Sequence, residues 1–185
     1  MLCTVKAGDR KERKMFDIGE LIMYGTNGVC RVEGFTHSPF DTHDEREYYV
    51  LNPVHDQSNL VIYTPVENEN VVMRRLLSFE KARSFLDGIA DISAITVENE
   101  RSRRDVYREA LKTADPVNYV RIVKAVRRRR EEFSRTRRRL PDMDIDFEHS
   151  AYSCLLGELS EVLGISRDEV DEKISEMLGK KVRMA

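Results

Sequence analysis

The sequence predicts an α+β protein in two parts, a small, strongly bent β-barrel followed by an all-helical bundle. Three observations predict it. Apolar residues alternate with polar ones in short runs from Phe16 to about Thr64, then recur with a helical period after Arg74. Asn27-Gly28, a dipeptide that tolerates positive φ at both centres of a tight turn, separates two apolar runs in the first part. Asp115-Pro116 and the capping box Ser166-Arg167-Asp168-Glu169 are helix-start signals, and both fall in the second part.

Leu21–Tyr24 and Val29–Phe35 read as strands flanking Gly25-Thr26-Asn27-Gly28. Tyr48-Tyr49-Val50-Leu51 and Leu60-Val61-Ile62-Tyr63-Thr64 read as two more. The polar loop His37 to Glu45 precedes them, and Asp56-Gln57-Ser58-Asn59 forms a hairpin connection between them. Pro65 follows, and Val71-Val72-Met73 reads as a last short strand. So few short strands make a small barrel of the SH3/Tudor kind rather than a sandwich. Leu60 to Pro65 ends in proline, as an edge strand tends to; a covered barrel strand fits the sequence equally well.

Ser78 caps a helix through Phe79, Ala82, Phe85 and Leu86 towards Gly88. A helix near 98–113 sets Val106, Ala110 and Leu111 on one side, with Arg103, Arg104 and Arg108 largely elsewhere. The helix opened by Asp115-Pro116 carries Tyr119, Ile122, Val123, Val126, Arg130 and Phe133 along one stripe. Leu140-Pro141-Asp142 breaks it, or ends it after the second arginine cluster, Arg137–Arg139. Tyr152, Leu155, Leu156, Leu159 and Leu163 mark the next helix, stopped by Gly164, and Val170, Ile174 and Leu178 mark the last. The expected division is a basic extension at 1–14, a β domain at 15–77 and a helical domain at 78–185.

The chain has a formal net charge of −2, but the charge is sorted along it. Residues 16–100 hold six basic and fifteen acidic side chains, whereas 101–139 hold fifteen basic and five acidic ones. Screening confines a field to about 8–10 Å, so a polyanion responds to the local block rather than to the total. Arg127–Arg130 covers a full helical turn, so some guanidinium must lie near the core stripe. The signal says polyanion, and it separates neither DNA from RNA nor either from an acidic protein surface. A solvated helix face is the competing reading.

Cys3, Cys30 and Cys154 are odd in number and widely spaced, which gives neither a disulfide framework nor a zinc site and fits a reducing cytoplasm. Asp142, Asp144 and Asp146 alternate like calcium-loop ligands. Phe147 and Ser153 stand where such a loop needs Gly and Glu, so they read as an acidic first helical turn. His37, His43, His55 and His149 show no ligand spacing and read as surface residues, mostly in loops. No nucleophile–base constellation argues for an enzyme. No small-molecule substrate, cofactor, metal or membrane span is expected.

The run Phe16-Asp17-Ile18-Gly19-Glu20-Leu21-Ile22-Met23-Tyr24-Gly25-Thr26-Asn27-Gly28-Val29-Cys30-Arg31-Val32 resembles the opening strands of the CarD/CdnL transcription regulators. The N-terminal domain of that family is shared with the transcription-repair coupling factor. Tyr48–Leu51 and Ile62–Val66 are similar to the family's next strands, and Glu109–Asp115 to its Leu-Lys-Ser-Gly-Asp junction between two helices. The resemblance, to the clostridial type, spans roughly Phe16 to Leu178. It implies a cytoplasmic, nucleoid-associated, non-enzymatic protein. A Tudor-like domain would dock on the bacterial RNA polymerase β subunit, and a helical domain would contact promoter DNA and stabilise the open complex. Tyr49, Val61, Ile62 and Tyr63 would then serve the polymerase face, and Arg103, Arg104, Arg108, Arg127, Arg128, Arg129 and Arg130 the DNA face.

The chain departs from the family in two ways. Several members use a Trp wedge at the minor groove. This chain has no Trp, and Glu100 falls near that position, or Thr96 if the register shifts. Basic residues used for polymerase contact in some members give way here to Tyr63 and, in a loop, Ser38. The alternative functional reading is a free-standing nucleic-acid-binding adaptor that needs no polymerase; a scaffold meeting an acidic protein is a third.

Overall fold

Alternation along the first strands divides their side chains between two cores. Ile22, Tyr24, Cys30 and Val32 join Phe16, Tyr49 and Leu51 on one face of the sheet, while Met23 and Val29 join the helical core on the other. The computed structural model describes residues 16–37, 45–55 and 60–182. The basic extension at 1–14, loop residues 38–44 and the connection at 56–59 lie outside the described residues, and with them Cys3, Ser38 and His43.

The strands are β1 (Leu21–Tyr24), β2 (Val29–His37), β3 (Glu47–Pro53), β4 (Ile62–Pro65) and β5 (Met73–Arg75). They pair antiparallel in the order β4-β3-β2-β1-β5. Among the described residues the ends of this order are not joined, so the expected closed barrel is an open sheet, compatible with a Tudor-like fold. A bulge between Val32 and Gly34 bends β2 against β3. The turn after β1 needs glycine: Gly25 has φ +48, and a Cβ there would lie 2.6 Å from Val71 Cγ1.

Strand ends differ from expectation: β2 runs on through His37, the first residue of the expected loop, and β3 spans Glu47–Pro53. Leu60 and Val61 stay outside β4, whose ladder begins at Leu51 opposite Ile62. Continuing it would set Leu60 against Pro53, which has no N–H to offer. The last strand is shifted to Met73–Arg75, opposite Ile22–Tyr24, and the Gly25 N–H extends the pairing to the Val72 carbonyl at 2.9 Å.

Five helices follow: α1 (Phe79–Gly88), α2 (Arg103–Lys112), α3 (Pro116–Arg135), α4 (Asp142–Leu163) and α5 (Arg167–Val182). Their caps match the sequence. Ser78 and Asp115 accept from the Lys81 and Val117 amides, Gly164 closes α4 in the left-handed region, and Ser166 and Glu169 exchange hydrogen bonds. Helix α4 packs against α1, α2, α3 and α5 and also touches β2. Its burial therefore goes beyond the expected leucine stripe to Ala151, Cys154, Gly157, Glu158 and Ser160. His149 lies on this helix rather than in a loop.

One ion pair bolts sheet to bundle. Arg74 on β5 donates from Nη1 and Nη2 to the two carboxylate oxygens of Glu158 at 2.6 and 2.7 Å, and from Nε to the Ala114 carbonyl at 2.6 Å. Ala114 adopts φ +51 at the α2–α3 junction, a left-handed conformation that is costly for a residue with a Cβ. Glu158 also accepts from the Leu77 amide at 3.1 Å. Burial works against the Arg74 charge, but the hydrogen bonds and field of Glu158 more than offset it, so its pKa lies above the ordinary value.

Candidate functional site

Two surfaces gather the residues singled out from the sequence. The first is the free side of β4, which has β3 as its only strand neighbour among the described residues. Tyr63 is 38 % exposed, Leu60 and Val61 are also exposed, and Ile62 is half-buried against the sheet core. Tyr49 does not belong to this surface. It is wholly buried between Phe16 and Phe35, with ring centroids 5.9 and 5.2 Å away, and its hydroxyl accepts from the Phe16 amide at 3.2 Å. An aromatic on the inward face of a central strand is core, and here it stiffens the strand that carries β4.

The second surface is the C-terminal half of α3 with the start of α2. Its arginines are largely matched by acids from elsewhere in the chain. Arg103, expected away from the core, is buried, with Nε 2.9 Å from Asp144 Oδ1 as an ion pair not aligned as a hydrogen bond. Its Nη1 donates to Glu100 Oε2. Arg129 donates to Glu100 through Nη1 at 2.6 Å and Nη2 at 3.2 Å, and to Asp144 through Nε at 3.4 Å. Arg130 forms a two-pronged pair with Glu148. Arg127 approaches the same carboxylate at 3.5 Å and lies 5.1 Å over the Tyr152 ring. Asp144, first noted for its spacing with Asp142 and Asp146, is thus the buried counter-ion of two arginines.

Electrostatics follow the pairing. Hydrogen bonds from Arg103 and then Arg129 hold the Glu100 carboxyl below its ordinary range. Hydrogen bonds to Glu148 raise Arg130 above its own. The remaining cations face solvent. Arg128 is 76 % exposed and, among the described residues, has only Glu132 at 3.4 Å on its own helix as a salt-bridge partner. Arg108 reaches Asp105 one turn away, and Arg104 is exposed beside the Met143 sulfur. Arg135, Arg137 and Arg138 continue the exposed group past the end of α3, with Arg138 lying 4.8 Å over the Phe133 ring.

Apart from Glu100 with Arg103, three residues away, these acids meet arginines 15 to 41 residues distant, beyond the reach of local sequence patterns. The usable signal was the full-turn arginine run itself, since cations near a core stripe require buried counter-charges. Among the described residues no group of His, Cys, Asp and Glu converges as a metal site, and no helix is long and apolar enough to cross a membrane.

An open strand edge on a small sheet, fixed to a bundle whose exposed helix face is cationic, is the geometry of a binding protein. Residues 16–77 match the family model of the CarD-like/TRCF RID domain, and the match ends two residues after β5. No curated protein matches the chain.

Proposed function

We propose that this protein is a transcription regulator that docks on the β subunit of bacterial RNA polymerase through β4 and lays its helical domain on promoter DNA, stabilising the open complex. The observation that carries the reading is that the segment similar to the CarD-like/TRCF RID domain is the one that presents the open strand edge. Val61, Ile62 and Tyr63 are its polymerase contacts, through strand addition with Tyr63 as the aromatic anchor. Arg104, Arg108 and Arg128 are the leading DNA contacts because they are exposed and held only by local acids or by none. Such contacts go to phosphates, so they set position rather than sequence preference.

Binding of the full chain to a purified β-subunit lobe tests the docking half. Wild type should bind, and Tyr63→Ala should weaken binding about tenfold, the loss of more than 1 kcal/mol typical of an aromatic anchor. Equal binding by wild type and a Val61→Asp/Tyr63→Ala double variant would place the interface elsewhere. No binding at all would favour a free-standing nucleic-acid binder.

A further inference from the structure

Three carboxylates face the arginines of α3, and they are not held alike. Asp144 is wholly buried and Glu148 has 14 % of its side chain exposed, whereas Glu100 is 67 % exposed. Glu100 also sits in the turn that precedes α2 rather than within a helix. Its carboxylate nevertheless fills a fork of donors, the paired Nη groups of Arg129 and Nη1 of Arg103. A cleft of about 220 Å³ opens beside it, lined by Tyr107, Arg103, Arg128 and Arg129 among others.

Planar guanidinium forks bind carboxylate and phosphate oxygens with the same geometry. We infer that the Arg103–Arg129 fork is a DNA phosphate site that Glu100 closes in the unbound protein. On the DNA-contact reading above, on which this rests, Glu100 is an intramolecular phosphate mimic that a backbone phosphate displaces. The exchange is feasible at Glu100 alone of the three, because an exposed carboxylate returns to water while a buried one would have to be desolvated elsewhere or left unpaired. Asp144 stays in place throughout and keeps both guanidiniums oriented. The closed fork hides two cations from weak, non-specific polyanions and opens only where a phosphate is held against it by neighbouring contacts such as Arg128.

The test measures affinity of the full chain for a short duplex DNA across a salt series, for wild type, Glu100→Gln and Glu109→Gln. Glu109 is similarly exposed and among the described residues pairs only with Lys112, so it controls for the simple loss of a negative charge. Glu100→Gln should bind severalfold more tightly than Glu109→Gln at low salt. Its log–log salt slope should steepen relative to wild type by less than one, because the phosphate already displaces Glu100 in the wild-type complex and counterion release is at most about 0.9 per phosphate. In an Arg129→Gln background the gain from Glu100→Gln should vanish, and thermal melts confirm that each variant folds. A gain no larger than that of Glu109→Gln, or one that persists without Arg129, overturns the inference. Wild type with no duplex affinity at low salt would instead overturn the DNA-contact reading itself.

Discussion

Removing the Glu158 carboxylate should uncouple sheet from bundle, and the size of the effect follows from its contacts. The group is wholly buried and accepts from both Arg74 Nη atoms, at 2.6 and 2.7 Å, and from the Leu77 amide at 3.1 Å. Glu158→Ala leaves Arg74 Nη2 and the Leu77 amide unmatched at the junction of the two parts, with Nη1 held only by the Arg75 carbonyl at 3.0 Å among the described residues. Breaking a buried pair from one side costs about 3–5 kcal/mol. Arg74 keeps some access to water, with 24 % of its side chain exposed, so the lower end of about 3 kcal/mol applies. For a chain of this size each kcal/mol lowers Tm by about 2–4 °C, so the drop should be roughly 6–12 °C. Urea melts and calorimetry read it, and the single cooperative transition should broaden or split as the parts lose their link. The double variant Arg74→Met/Glu158→Leu should be less destabilised than the sum of its singles, since neither charge is stranded. A Glu158→Ala protein within about 1 kcal/mol of wild type, or strict additivity in the double, would refute the bolt.

Neighbouring arginines on α3 should behave differently. Arg128→Glu should leave stability within about 0.5 kcal/mol of wild type while weakening duplex binding, because its side chain is exposed. Arg129→Glu should lower stability by roughly 3 kcal/mol or more, because it sets a carboxylate against Glu100 and buried Asp144; denaturant melts beside binding isotherms separate the two. Burial pushes the Cys154 thiol up to about 11. Burial, and then the field of Cys154, pushes Cys30 up to about 12, from an ordinary 9.0. The folded state holds these protons while the unfolded chain releases them, so their contribution to stability is complete below 9.0 and is lost as pH rises through 11 to 12. A Cys3→Ser protein should accordingly show no accessible thiol at neutral pH until denatured, and its Tm should fall on the alkaline side; ready native labelling of either thiol would contradict this.

The local grammar of the fold was legible because it depends on neighbours in sequence. Ser78, Asp115-Pro116, Gly164 and the Ser166–Glu169 box each act within one turn and sit where expected, whereas Asn27 closes the 3-10 turn Gly25–Asn27 and only Gly28 of the Asn-Gly pair takes positive φ. What depends on distant partners was not legible. Nothing near Tyr49 in sequence says that Phe16 and Phe35 close over it. Likewise the arginine block reads as a naked cationic face until α4 brings Asp144 and Glu148 against it and the turn before α2 brings Glu100. The block is therefore both a structural ion-pair layer and, through its exposed members, a candidate DNA surface. Local charge counting merges these two roles. Glu158 shows the same limit, since a single acid in a leucine-rich helix gives no hint of an arginine 84 residues away.

The most direct test of the central claim is the lifetime of a promoter open complex formed by bacterial RNA polymerase with this protein added. Wild type should lengthen it, and both Tyr63→Ala and Arg128→Glu should lose much of that effect, the first by failing to dock and the second by failing to hold DNA. An unchanged lifetime with wild-type protein bound to the polymerase would contradict the account.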